Sequence, residues 1–441
     1  MGRLFRIYLV VMVVASIIHL FATATAIEAI YITQKYGGLD NDEARSVVQT
    51  VDGGYALAGS TGSFGAGTDD FWLVKVDASG NHEWNQKYGG LDNDEARSVV
   101  QTVDGGYALA GVTGTYFARN SDFWLVKTDS SGNHEWNQTY GGKRNDEVRS
   151  VVQTVDGGYA LAGYTNSFGA GGGHFFWGRA DFWLVKTDEA GNMQWSKTYG
   201  GLGNERAYSM VLTVDGGYAL AGSITYSGEA FNGSFDFWLV KTDASGNHEW
   251  NQTYGGQDHD ETRSVIQTVD GGYALAGQTV SFGAGSTDFW LVKTDSSGNH
   301  EWNQTYGGPN GDEAYSVVQT VDGGYVLAGY TSSFGAGSTD FWLVKTDSSG
   351  NHEWNQTYGG PNIDSAHSVV QTVDGGYALA GKTGIWARNS DFWLVKTDEF
   401  GFIPEFPTWT LILLIVILLA VIISTVTITI YRRKLFKTTN H

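Results

Sequence analysis

One unit of about 52 residues, repeated seven times, constrains this chain more than any other feature. A Tyr-Gly-Gly triplet starts at Tyr36, Tyr88, Tyr140, Tyr199, Tyr254, Tyr306 and Tyr358, with spacings of 52, 52, 59, 55, 52 and 52. An Asp-Gly-Gly-Tyr block starts at Asp52, Asp104, Asp156, Asp215, Asp270, Asp322 and Asp374. An Asp-Phe-Trp block starts at Asp70, Asp122, Asp181, Asp236, Asp288, Asp340 and Asp391. Repeats of about 40–50 residues that each hold four strands mark β-propellers. The expected fold is all-β: a seven-bladed propeller over 27–400.

Four strands are legible in the first unit. Strand a is Ser46–Val51, and Asp52-Gly53-Gly54 is a tight turn whose glycines allow positive φ. Strand b is Tyr55–Gly59, c is Phe71–Lys75 and d is His82–Gln86. Strands a to c are almost continuously apolar, as strands buried on both faces should be. Strand b uses small residues that suit a crowded inner region, while c and d carry tryptophans that fill the wider gaps between outer blade faces. The last unit lacks a Trp-containing strand d, and Ile30–Lys35 before the first triplet aligns with strand d of the other units. The N-terminal strand is therefore expected to complete the last blade and remove two open edges.

The ends carry different signals. Arg3 and Arg6, the apolar run Ile7–Phe21 and Ala22-Thr23-Ala24-Thr25-Ala26 read as a secretory signal peptide over 1–26, with an uncleaved N-terminal anchor as the alternative. Residues 401–407 form a linker. Residues 408–431 carry no charge and are long enough for a helix to cross ~30 Å of hydrocarbon. Arg432, Arg433, Lys434 and Lys437 make 432–441 a basic tail that stays in the cytoplasm. The expectation is a single-pass cell-surface protein with the propeller outside. Sixty-one glycines, 16 tryptophans and 23 tyrosines argue against disorder, and the lack of cysteine excludes disulfides and thiolate chemistry.

Ile403-Pro404-Glu405-Phe406-Pro407-Thr408-Trp409, followed by the apolar run and the basic residues, resembles the archaeal PEF-type C-terminal sorting segment. That resemblance implies an archaeal surface protein whose tail is cut and replaced by a lipid; a retained transmembrane helix is the alternative. The DGGY and DFWLVK blocks resemble a repeat of archaeal and bacterial surface proteins. Strands c and d, as in Trp342 to Trp354, also look like quinoprotein-type propeller repeats. No Gly-His…Trp-Asp pair recurs, and the double glycine precedes strand b, so the pattern is neither WD-type nor a clean Kelch repeat.

In a propeller the d–a and b–c loops share one face and the a–b and c–d turns the other. The turns here barely change between blades, so a unique site is expected where the blades differ. The b–c loops differ most. Tyr116, Phe117 and Arg119 in unit 2, His174, Phe175, Phe176, Trp177 and Arg179 in unit 3, and Trp386 and Arg388 in unit 7 form the candidate ligand-binding set. Aromatic rings stack on sugar faces, and arginine supplies planar donors for hydroxyls or carboxylates. The opposing reading folds these loops inward to cap the channel.

An acid recurs in every d–a loop: Asp42, Asp94, Asp146, Glu205, Asp260, Asp312 and Asp364. A divalent cation is the inorganic partner such a ring suggests. The simpler expectation is loop bracing through backbone N–H groups and nearby arginines, since no dense calcium loop is present. No other cofactor is expected. The strand-d histidines read as surface positions. Asn137, Asn232, Asn251, Asn303 and Asn355 open glycosylation sequons. Residues 36–398 hold 20 Lys+Arg against 44 Asp+Glu, a formal −24 that repels nucleic acid.

The first functional expectation is a non-enzymatic surface propeller that recognises glycan, protein or envelope components. The second is an extracellular enzyme, quinoprotein-like or polysaccharide-degrading, although no acid/base pair stands above the repeat background. The third is a purely structural envelope protein.

Overall fold

The computed structural model describes residues 33–115, 120–170, 179–225, 234–385 and 388–403. They form seven four-stranded antiparallel sheets, the blades of a propeller. In the first blade strand a is Asp42–Gln49, b Tyr55–Thr61, c Asp70–Val76 and d His82–Tyr88. The seventh blade takes three strands from the C-terminal end, Ile363–Gln371, Tyr377–Ile385 and Arg388–Thr397. Its outer strand is Thr33–Tyr36, paired from Thr33↔Val395 to Tyr36↔Phe392. The ring closes through the N-terminal strand, as the sequence suggests. Contacts through Gly401 form one compact unit, with the residues from Phe402 onward forming another. Among the described residues no helix is long and apolar enough to cross a membrane. The signal segment 1–26, the apolar run 408–431 and the tail 432–441 lie outside them.

All four strands differ from the expected bounds: b runs on to Thr61 and c spans Asp70–Val76, while the shifts in a and d each have a local cause. Strand a begins at Asp42 and stops at Gln49 because Thr50 belongs to the turn. The Thr50 N–H donates to the Gly54 carbonyl, and the Gly53 N–H donates to Thr50, both at 2.9 Å. Gly53 sits at φ 86°, a conformation that costs glycine little. Strand d runs on to Tyr88 because the tyrosine of the Tyr-Gly-Gly triplet pairs with Phe71.

Strand b is buried along its whole length. Between blades the aromatic rings interlock. Phe71 meets Trp124 of the next blade with centroids 4.5 Å apart, and Trp84 meets Tyr107 edge-on at 5.8 Å. Each such pair adds about 0.5–1.5 kcal/mol beyond its buried area. The lysine of each DFWLVK block is a buried staple. Lys75 is 3% exposed, and its Nζ lies 2.9 Å from Asp52 in the a–b turn and 2.8 Å from Glu83 on strand d. Burial works against the Asp52 carboxylate. The Thr50 hydroxyl, Lys75 and the Gly54 N–H outweigh it and hold its pKa at about 2.

The a–b turns are tied to one another around the ring, except between blades three and four. Gln101 accepts from the Val51 N–H of the preceding blade at 2.9 Å, and the contact continues around to Gln49 and Val373 at 3.0 Å. Leu212 replaces the glutamine in the fourth blade.

Candidate functional site

Most of the candidate loop lies outside the described residues: Tyr116, Phe117, Arg119, His174, Phe175, Phe176, Trp177 and Trp386, together with the sequon at Asn232. Arg388 is described for its backbone alone. Arg179 is partly buried, and its guanidinium donates to the Leu202 carbonyl in the neighbouring d–a loop. The Ser-Phe-Gly-Ala-Gly loops fold back onto their blades. Phe64, Phe282 and Phe334 each lie 5.3 Å from the strand-c tryptophans Trp72, Trp290 and Trp342.

The acids of the d–a loops are engaged in bracing. Asp42 is fully buried. Its Oδ2 accepts from the Gly38 N–H at 2.8 Å and from Ser63 at 2.7 Å, while Oδ1 accepts from the Thr61 hydroxyl. Asp146, Asp260 and Asp312 repeat this set of bonds. The expected pairing of these acids with arginine is not what forms. The next residue does it: Arg45 binds Glu43 at 2.8 Å. Asp94, Glu205 and Asp364 also accept from loop N–H groups. Among the described residues no three or more His, Cys, Asp or Glu gather into a metal-holding cluster.

Each of these acids faces the first aspartate of strand c in the preceding blade, with the first glycine of the triplet wedged against both. A Cβ on Gly89 would lie 2.0 Å from Asp70 Oδ1 and 2.7 Å from Asp94 Oδ2. Burial raises the pKa of Asp122 and Asp236, and the facing Asp146 and Asp260 raise them further. Asp236 reaches about 6. Glu205 departs furthest. Its strand-b partner is Ile224, where the other blades present a threonine hydroxyl. Burial, with Asp181 adding, pushes its carboxyl up to about 7 against the Gly201 and Gly203 N–H groups and Arg179.

Asn137, Asn251, Asn303 and Asn355 are exposed on the outer strands. Each Oδ1 accepts from an indole N–H at 3.1 Å, from Trp124, Trp238, Trp290 and Trp342 respectively. Each Nδ2 lies 2.9 Å from the histidine that opens the strand. The histidines are therefore outer-strand surface positions that help hold these asparagines.

The structure brings together a set that the sequence hardly announces. Every strand a bulges two residues past its second acid position, between Ala44 and Ser46 in the first blade. Bulges re-aim side chains. The bulged residues are Arg45, Arg97, Arg149, Tyr208, Arg263, Tyr315 and His367. They meet from blade to blade as a collar on the innermost strands. Arg149 stands 5.6 Å over the Tyr208 ring, and Arg263 stands 4.7 Å over Tyr208 and 5.6 Å over Tyr315. Tyr315 stacks edge-on with His367 at 4.9 Å, and His367 Nε2 lies 2.9 Å from Glu43. Lys382 joins Glu43 at 3.1 Å. Burial drives the His367 pKa down to about 4, so its ring is neutral above that. Arg45, Arg97, Arg149 and Arg263 are visible in the sequence beside their acids. The exchanges to Tyr208, Tyr315 and His367 at the same position were the overlooked signal.

No family model matches the chain. It is 24% identical over 335 residues to the regulatory protein FlaEY of Caulobacter vibrioides, a match that takes in 73% of this chain and 27% of that protein. Among solved structures, the WD40 domain of Neurospora crassa Pan2 superposes with a TM-score of 0.50 at 10% identity, over 85% of this chain and 98% of that one. A puromycin hydrolase superposes with the same TM-score at 11% identity, over 81% of this chain and 52% of that one. At such identities the likeness is one of fold. The class is therefore the seven-bladed β-propeller with four-stranded blades.

Proposed function

We propose that this chain is a cell-surface binding propeller, held to the membrane by its C-terminal segment, that recognises a glycan through the d–a and b–c loop face. One observation carries the reading: most side chains that recur from blade to blade are consumed by architecture, and the largest differences between blades fall in the b–c loops. The turn acids bind the lysine staples, the loop acids brace their own loops, and the outer asparagines hold indoles. The residues that change most between blades lie in the b–c loops and on the collar. Gly401, where the compact unit ends, closes the last c–d turn through its bond to Asp398 at 3.1 Å.

The test is binding of the full chain in detergent to a broad glycan array, beside the Trp177→Ala, Arg179→Ala double variant. Specific binding that the variant loses supports a site on these loops. Binding that the variant retains, or no binding at all, removes that site and favours a protein-binding or purely structural propeller.

A further inference from the structure

We propose that the collar of blades three to five is a second binding site, which takes a small oxyanion on Arg206. This inference does not depend on the loop site. It begins with an imbalance of donors and acceptors. At the position that follows the loop acid, blades one, two, three, five and six carry a glutamate, and blade four carries Arg206.

The neighbouring acids already have their donors. Glu147 accepts from Arg149 at 2.8 Å and is bonded by Tyr164. Glu261 pairs with Arg263 at 2.8 Å and is bonded by Tyr208. Arg206 forms no ion pair among the described residues, and its guanidinium stands 5.1 Å over the Tyr164 ring. Within blades three to five, Arg149, Arg206 and Arg263 against Glu147 and Glu261 leave one positive charge in excess, with Glu313 of blade six also acting on Arg263, in a chain whose net charge is −20.

A second, independent observation points to the same place. Ser223 is the cross-strand partner of Arg206. It is fully buried, and its hydroxyl has no hydrogen-bond partner. The Nε atoms of Arg97, Arg149, Arg206 and Arg263 are likewise buried and unpartnered. Five donors on four adjacent blades thus lack acceptors, four of them on blades three to five and two on blade four itself, and buried donors are rarely left so. A carboxylate or phosphate supplies several acceptor oxygens in one group and cancels the excess charge. Planar guanidinium forks match both geometrically. The glutamate that five other blades carry at this position would fill the site with its own carboxylate, so Arg206 is what opens it.

The test uses the full chain in detergent, titrated calorimetrically with sodium glucuronate, acetate or inorganic phosphate at constant ionic strength. Sodium chloride and glucose are the controls. The expected result is saturable binding of at least one oxyanion, with glucose silent. The sugar acid and acetate identify a carboxylate site, and phosphate identifies a phosphate site. Arg206→Gln should weaken binding at least tenfold, and Ser223→Ala should weaken it several-fold while leaving the collar charge intact. Lys87→Gln, an equal charge change on an exposed outer strand, should leave binding unchanged. Should Arg206→Gln fail to fold, Ser223→Ala decides alone. Absence of saturation with every oxyanion, an equal response to chloride, or undiminished affinity in the variants overturns the proposal. A glycan signal lost only in the Trp177→Ala, Arg179→Ala variant would leave the loop reading standing if this site fails.

Discussion

Glu205→Gln should make the propeller more stable at pH 8 and leave it nearly unchanged at pH 4. Glu205 is 2% exposed, and the threonine hydroxyl found in the other blades is replaced by Ile224. Its carboxyl is pushed from 4.5 to about 7, chiefly by burial, with Asp181 adding to the effect. A raised acid stabilises the fold in its protonated form. The contribution is complete below the unfolded value near 4.5 and is lost as pH rises through about 7. At about 1.4 kcal/mol for each tenfold change, ionisation above pH 7 costs about 3 kcal/mol. Glutamine keeps the carbonyl acceptor and cannot ionise. The assay is urea denaturation of parent and variant from pH 4 to 8.5. Because Asp69 and Asp236 are also raised, to about 6, the parent should lose further stability over the same range. The difference between the two proteins isolates Glu205. A pH-independent difference, or a variant less stable at pH 8, would refute the reasoning.

Lys293→Met should cost about 2 kcal/mol by urea denaturation, less than a fully buried pair would, because Asp270 and Glu301 on either side are half exposed. The turn acids held near pKa 2, such as Asp270, give an opposite limb: their contribution is present above about 3.8 and is lost as pH falls toward 2, so melting temperature should peak near pH 4–5. Gly277→Ala should destabilise by about 1–3 kcal/mol, since its Cβ would stand 2.0 Å from the Glu261 carbonyl oxygen, read as a lowered urea midpoint. Deleting residues 30–36 leaves Arg388–Thr397 as an open edge, and should lower the melting temperature and promote concentration-dependent association by light scattering. Unchanged melting and dispersity would refute the role of ring closure.

The parts of this fold that were legible in the sequence are those written seven times. Tyr-Gly-Gly, Asp-Gly-Gly-Tyr and Asp-Phe-Trp mark the strand ends, and the missing outer strand of the last unit pointed to closure by Thr33–Tyr36. What escaped reading is written once, in the exceptions. Glu205 in place of aspartate and Ile224 in place of threonine are unremarkable apart, because only strand pairing shows that they face each other. Arg206 in place of glutamate looks like an ordinary surface exchange until the fold sets it opposite Ser223 and over the Tyr164 ring. Blade four also carries Leu212, where the other blades carry the glutamine that ties adjacent turns. These substitutions fall in one blade, on its innermost strands. A repeat that only closes a ring has no need of a blade that surrenders an inter-blade bond, a hydroxyl donor and a counter-charge together. The same losses are intelligible if that blade is where the channel holds something, and this is why Arg206 and Ser223, more than the loop aromatics, are the residues whose substitution separates a binding propeller from a scaffold.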